Sequence, residues 1–195
     1  MPHWHTRRPP SAQNVATADD LLTPPCLLEA LGALRETRAG GYRLGPDPFD
    51  LDPCASRKQP WPTAAEQWTV REDGLSRAWR GEVWLNAPYG RSLYHWVARL
   101  ADHGSGLALM YARTDTEGFR AHVWGRASAL YFLTGRPWFH QPVTGEQCPA
   151  NCGGPMVLAA YGDASLARVR RLLADDSPYP GTLVPIPRTR EKGGR

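Results

Sequence analysis

The chain is expected to fold as one layered α/β domain built on a largely parallel sheet, and three observations predict it. Stretches with leucines at helical spacing alternate with short, continuous apolar runs. The runs "VWL", "GLALMYA", "ALYFL" and "MVLAAY" hold no alternating polar residues, which is the pattern of strands covered on both faces. The length, 195 residues, suits a single well-filled core.

Along the chain, residues 1–18 are polar and proline-containing and are expected to form a tail without fixed structure. The folded domain is placed at 19–176, and 177–195 is read as a proline-containing basic tail. Thr23 is placed as an N-cap with Pro24 at the first helical position, and Leu27, Leu28, Leu31 and Leu34 share one helical face. Gly40-Gly41 is expected to stop that helix. A very short strand follows in "FDLDPCAS", ending at Asp52-Pro53, and a brief one is placed at 68–70. After "EVWL" a helix is marked by Leu93, Trp96, Val97 and Leu100 and closed by Gly104. "GLALMYA" reads as an interior parallel strand, and Phe119, His122 and Val123 suggest a further helix. Two more strands follow in "ALYFL" and "MVLAAY", and Asp163 is placed to cap a last helix through Leu166, Val169 and Leu172.

Composition narrows the classes. Hydrophobic residues make up 42% and charged residues 22%, which predicts a globular chain rather than a disordered one. No apolar run is long enough to span a bilayer, and "MPHWHTRRPP" lacks the apolar stretch of a secretory signal, so an intracellular, cytoplasmic protein with no membrane partner is expected. A net charge of +4 permits an anionic partner without demanding one. The four cysteines are expected to be reduced thiols. "CPANC" has loose zinc-hairpin spacing near His140, but a structural zinc wants four ligands and no second pair is evident, so no metal is expected.

In open parallel sheets ligands bind beyond the carboxyl ends of the strands. Asp52-Pro53, Asn86–Tyr89 and Arg113–Asp115 each stand where an apolar strand ends. The sequence "NAPY" suits one chemistry in particular. An exocyclic amino group on a base is a poor nucleophile because its lone pair is shared with the ring. Accepting hydrogen bonds from both amino hydrogens localises that pair. The Asn86 side-chain oxygen and the carbonyl of Ala87 are two such acceptors, held by the proline-constrained turn at Pro88. Tyr89 offers a flat face for an extruded base, so its ring rather than its hydroxyl is expected to matter.

"TPPCLLEAL", "FDLDPCAS", "EDGL", "VWLNAPYG", "ARTDTEGF", "FLTGRPWF" and "GGPMVLAAYG" follow in one order over roughly residues 19–162. Together they resemble the phage-type DNA N-6-adenine methyltransferase (Dam) family. The resemblance implies a Rossmann-like methyltransferase fold, S-adenosylmethionine as methyl donor, DNA as partner and adenine N6 as acceptor. It further implies a phage-encoded role in DNA modification or protection from restriction. Asn86, Pro88 and Tyr89 match the family's catalytic Asn-Pro-Pro-Tyr motif, with Ala87 replacing its first proline. Asp52, Pro53 and Cys54 resemble the strand-end motif beside the cofactor's methionine portion. Thr23 and Pro24 resemble the leading motif of that pocket, and Asp73 the acidic position that meets the cofactor's adenine.

Two departures stand out. "DPCAS" has no glycine where methyltransferases of this fold carry a glycine-rich turn, and the stretch before "VWLN" is short for two strand–helix units, so a trimmed sheet is expected. Arg113 and Arg136 are candidate phosphate contacts, Asp115 is a candidate site residue, Asp115 or Thr116 is placed as the cap of the next helix, and Trp138 or Phe139 is a candidate wall of the base pocket. Arg168, Arg170 and Arg171 read as the solvated side of an amphipathic helix, with a DNA-facing stripe as the functional alternative. Other planar amines, cytosine N4 or a protein glutamine, fit the same acceptor geometry. A catalytically inactive DNA-binding relative is the rival from another class.

Overall fold

A computed structural model describes residues 21–187, so the expected N-terminal tail and the last eight residues lie outside the described part. The elements run α1 (Pro25–Ala30), β1 (Leu34–Glu36), β2 (Tyr42–Leu44), β3 (Phe49–Asp52), β4 (Ala64–Gln67), β5 (Val83–Leu85) and α2 (Leu93–His103). They continue with β6 (Gly106–Tyr111), α3 (Glu117–His122), β7 (Ala129–Leu133), β8 (Met156–Tyr161), α4 (Asp163–Arg170) with a 3-10 turn at Arg171–Leu173, and β9 (Gly181–Pro185).

Seven strands form one sheet in the order β4-β3-β5-β6-β8-β7-β9. β4, β3, β5 and β6 are mutually parallel, whereas β8 is antiparallel to both β6 and β7, and β9 is antiparallel to β7. Successive side chains of a strand point to opposite faces, and the residues obey this. Phe49, Trp84, Leu107, Leu109 and Tyr131 bury one face against Leu27, Leu28 and Leu31 of α1 and Val169 of α4. Leu51, Val83, Leu85, Ala108 and Met110 bury the other against Val97 and Leu100 of α2 and Phe119 of α3. The result is a three-layer, mixed α/β domain, and no helix among the described residues is long and apolar enough to cross a membrane.

Six local expectations shift. The first helix stops at Ala30 instead of running to Leu34, because Gly32 takes a left-handed conformation (φ +81°) and Leu34 turns into β1. Pro24 occupies its N-cap and Pro25 its first turn, so Thr23 does not cap it. Gly40-Gly41 form the turn of a β1–β2 hairpin, both at positive φ. The strand placed at 68–70 lies at Ala64–Gln67, and Gly181–Pro185, inside the segment read as a tail, joins the sheet as its edge strand. Helix α4 begins at Asp163 with Gly162 as its N-cap.

One buried charge ties these layers together. Arg168, on the face of α4 read as solvated, is 2% exposed. Its Nε and Nη2 donate to the Glu82 carboxylate, Nη1 to the carbonyls of Leu31 (3.0 Å) and Asp47 (2.6 Å), and Nη2 also to the Asp47 carboxylate. The guanidinium lies 4.2 Å from the Phe49 ring centroid. Arg171 pairs with Asp47 beside it (2.6 Å), whereas Arg170 is exposed. Burying a guanidinium is costly unless its donors are all met, and here α1, the approach to β3, and the start of β5 meet them. Arg168→Met should therefore destabilise the protein by about 3–5 kcal/mol, since it strands the Glu82 carboxylate and the Asp47 carbonyl; urea unfolding measures this. A loss no larger than that of the exposed control Arg170→Met would show the network to be dispensable.

Candidate active site

The chain leaves β3 toward β4 at one edge and leaves β5 toward β6 in the opposite direction, although β3 and β5 are neighbours. Strand order thus reverses between them, which is where open parallel sheets form their crevice. The two strands are paired only through Leu51 and Val83, so Asp52 and Asn86 stand at the splayed ends. A cleft of about 1040 Å³ opens there, lined among others by Thr23, Asp52, Asp73, Trp84, Asn86 and Pro88. Pro53 and Cys54 also line it. Of the residues expected to form the site, seven from four separated segments are brought together.

Asp52 sets the electrostatics. It is 3% exposed, and its Oδ2 accepts from the Thr63 hydroxyl (2.5 Å) while Oδ1 accepts the Cys54 amide (3.1 Å). No cation among the described residues pairs with it. Burial raises its carboxyl from the ordinary 3.8 to about 6, against the lowering effect of the Thr63 and Cys54 hydrogen bonds. The Cys54 thiol beside it is pushed well up by burial and then by the Asp52 charge, so it stays protonated. The turn after β3 lacks glycine, yet the close backbone approach is supplied from across the cleft. A Cβ on Gly74 would stand 2.1 Å from the Pro53 carbonyl oxygen, and Asp73 before it is held at φ +50°.

The Asn86–Tyr89 turn is tightly held. The Asn86 side-chain amide donates to the Leu21 carbonyl (3.2 Å), and its Oδ1 accepts the Tyr89 hydroxyl (2.8 Å). A carbonyl oxygen has two lone pairs, so one remains. Ala87 is buried (2% exposed), with its carbonyl accepting no hydrogen bond among the described residues. Burial, then the neighbouring Tyr111, raises the Tyr89 hydroxyl well above its usual value, which keeps it a neutral donor. Its ring packs against Tyr111 (centroids 4.8 Å apart) and edge-on against Phe139 (6.3 Å). The hydroxyl therefore has a positioning role that the sequence alone did not suggest, and the ring is already engaged by two aromatic neighbours.

The other expected contacts are dispersed. Pro24 is buried at the start of α1, next to the cleft. Phe139 is 2% exposed and backs Tyr89 instead of forming an open wall. Arg113 is exposed above Tyr111, 5.7 Å from its ring centroid, and lines a separate cavity of about 330 Å³ with Gly153 and Gly154. Asp115 and Arg136 are exposed, and Thr116, not Asp115, caps α3 by accepting from the Phe119 amide. Sequence reasoning missed Thr63, Leu21, Gln67 and the 141–146 loop, all at the cleft or on its hydrogen bonds. Within that loop the exposed Val143 holds φ +75°. The four cysteines are unpaired thiols, and no group of three or more metal-binding side chains forms among the described residues.

No protein-family model matches the chain, and neither a curated protein nor a solved structure does.

The donor set can be weighed against the expected cofactor. The cleft offers the Asp52 and Asp73 carboxylates and the Thr23 and Thr69 hydroxyls, with exposed Arg57 and Lys58 at its rim. The Trp84 indole N–H on its floor has no partner among the described residues. These groups fit a phosphate-free ligand that carries positive charge, hydroxyls and a carboxylate, as S-adenosylmethionine does.

Because the folded carboxyl is raised, Asp52 favours folding only where it is protonated. That advantage is complete below about pH 4 and lost as pH rises through about 6. At roughly 1.4 kcal/mol per pH unit, its ionisation costs about 3 kcal/mol at neutral pH. Asp52→Asn keeps an acceptor for the Cys54 amide and lets Thr63 turn its hydrogen to Gln67 (3.1 Å). The variant should be more stable than wild type by about 2–3 kcal/mol at pH 7.5, with the difference closing toward pH 4. Unfolding curves across that range check the sign.

Proposed function

We propose that this protein is an S-adenosylmethionine-dependent DNA methyltransferase acting on adenine N6, of the phage-type Dam kind that its motifs resemble, with a role in DNA modification or protection from restriction. The observation that carries the proposal is the pair of acceptors, one remaining Asn86 Oδ1 lone pair and the unbonded Ala87 carbonyl, beside a cleft whose buried carboxylate lacks a cation. The order reversal between β3 and β5 supports a methyltransferase-like arrangement of the sheet.

In this reading Asp52, Thr23 and Cys54 hold the methionine end of the cofactor, and Asp73 holds its adenosine end. When bound, the cofactor supplies an electrophilic methyl group on a sulfonium sulfur. Asn86 and the Ala87 carbonyl accept the two amino hydrogens of the target base, which localises the nitrogen lone pair on the side facing the methyl. Tyr89 fixes the Asn86 oxygen through its hydroxyl, and its ring gives the turn a rigid aromatic backing. The methyl group would come from the cofactor's sulfonium, which would leave as the neutral thioether, and the amino hydrogens held at Asn86 Oδ1 and the Ala87 carbonyl are placed to lose the surplus proton to solvent. Catalysis here is alignment, which alone accounts for large accelerations when the geometry is held.

Incubation with labelled cofactor and unmethylated DNA, followed by nucleoside analysis, should yield N6-methyladenine. N4-methylcytosine instead would redirect the assignment to another planar amine. Asn86→Ala should lose about a hundredfold or more in kcat with cofactor affinity kept. Tyr89→Phe should lose roughly ten- to a hundredfold, because the Asn86 oxygen is no longer held; an unaffected Phe variant would return the role to the ring. Cofactor affinity should rise between pH 5 and 7.5 as Asp52 ionises, and Asp52→Asn should flatten that rise, as titration calorimetry at several pH values can read.

A further inference from the structure

The β1–β2 hairpin stands apart from the seven-stranded sheet as a two-stranded unit. Its register places Arg35 directly opposite Arg43. Both are exposed, and neither forms an ion pair among the described residues. Like charges directly opposite each other on a strand pair oppose its formation, so the arrangement works against this small hairpin. The strand alternation turns both arginines to the side away from Leu34, Glu36, Tyr42 and Leu44. The nearby acids are on that inner side. Glu29 accepts the Glu36 amide (2.8 Å), and both carboxylates raise the Tyr42 hydroxyl, after its burial. The outer side is left with positive charge only.

The turn adds to this. Arg38 is exposed and free of ion pairs among the described residues. Gly40 and Gly41 hold φ +81° and +83° with open space around them, and the Gly41 amide donates no hydrogen bond among the described residues. The hairpin is also connected to the cleft. The Tyr42 ring lies 5.7 Å from Trp61, Trp61 lies 5.4 Å from His140, and His140 bonds the Gly145 carbonyl in the loop that rims the cleft.

We propose that this hairpin is a phosphate-gripping arm, with Arg35, Arg43 and Arg38 engaging successive phosphodiesters of a nucleic-acid backbone beside the cleft. Arginine forks match phosphate oxygens in pairs, and a polyanion relieves the repulsion that the register builds in. An acidic protein surface offers carboxylates at irregular spacing, whereas a nucleic-acid strand offers charges at a fixed repeat. The arm names the backbone contacts of the proposed DNA substrate and rests on that reading only for the kind of polyanion.

The test uses the full chain and a short duplex DNA of arbitrary sequence, with binding followed by fluorescence anisotropy from about 50 to 200 mM salt. Replacing all three by glutamine (Arg35→Gln, Arg38→Gln, Arg43→Gln) should lower the slope of log affinity against log salt by roughly 2–3, at about 0.9 per phosphate contact. The melting temperature should not fall, and affinity for S-adenosylmethionine should be unchanged. Lysine at the same three positions should keep the slope. Should the triple variant fold poorly, Arg38→Gln alone should lower the slope by about 1. An unchanged slope in a folded glutamine variant overturns the proposal, as does binding of polyglutamate as tight as that of duplex. Duplex binding that obeys these slopes in a protein with no measurable affinity for S-adenosylmethionine leaves the arm standing and overturns the methyl-transfer reading instead.

Discussion

The structure depends on one guanidinium. Arg168 is a positive charge inside a protein, tolerable only because each of its five N–H donors reaches an acceptor. Those acceptors come from the end of α1, the loop before β3 and the residue before β5. None of them is in place unless the three segments are assembled, so the charge specifies the assembly as well as stabilising it. Glu82 shows the consequence most directly. Its carboxylate holds Arg168 and Ser165, its amide donates to Asp50, and its carbonyl accepts the Asp50 amide. The register of β5 against β3 is thus set at the amino ends of both strands. Beyond that pairing the carboxyl ends of the two strands carry Asp52 and Asn86 to the lining of one cleft.

The opposite end of these strands follows the opposite logic. Asp52 is as deeply placed as Arg168, but it has hydrogen bonds and no counter-charge. A protein that only needed a stable core would leave an amide or an apolar residue there. Stability is surrendered at a cleft wall where a donor-rich ligand can restore it, which is the pattern of a preorganised binding site. The Asn86 turn is prepared in the same way. One of its amide hydrogens is held by Leu21 and one oxygen lone pair by Tyr89, so the remaining acceptors point from a fixed frame instead of a mobile loop.

What could be read from the sequence follows from the range of the interactions involved. The layered α/β class, the four apolar strands and α2 with its left-handed Gly104 cap are governed by periodicity and local conformation, and those signals lie within a few residues. The cleft residues Asp52, Pro53, Asn86 and Pro88 were reachable because strand ends in such sheets converge, whereas Cys54 and Asp73 were reached only through the resemblance of their motifs. The hairpin was lost because "ALRETRAGGYRL" continues the leucine spacing of α1, and only the left-handed Gly32 breaks it. Edge strand β9 was lost because its proline-rich flanks read as tail. Thr63 and Leu21 could not have been found, since their contacts with Asp52 and Asn86 span 11 and 65 residues and depend on tertiary placement.

The arginines show why patterning misassigns charge in particular. Arg168, Arg170 and Arg171 read in the sequence as one solvated side of a helix, yet positions two apart point to opposite sides, and Arg168 and Arg171 reach Glu82 and Asp47 while Arg170 has no ion pair among the described residues. The two that fold inward are neutralised by Glu82 and Asp47. Arg35, Arg38 and Arg43, which no helical or strand stripe marks in the sequence, end up exposed on one small hairpin with the nearby acids turned to its other side. A net charge of +4 is compatible with either distribution. What decides the electrostatic character of a surface is which cations the fold consumes in its own ion pairs, and here it consumes those of α4 and leaves those of the hairpin facing outward.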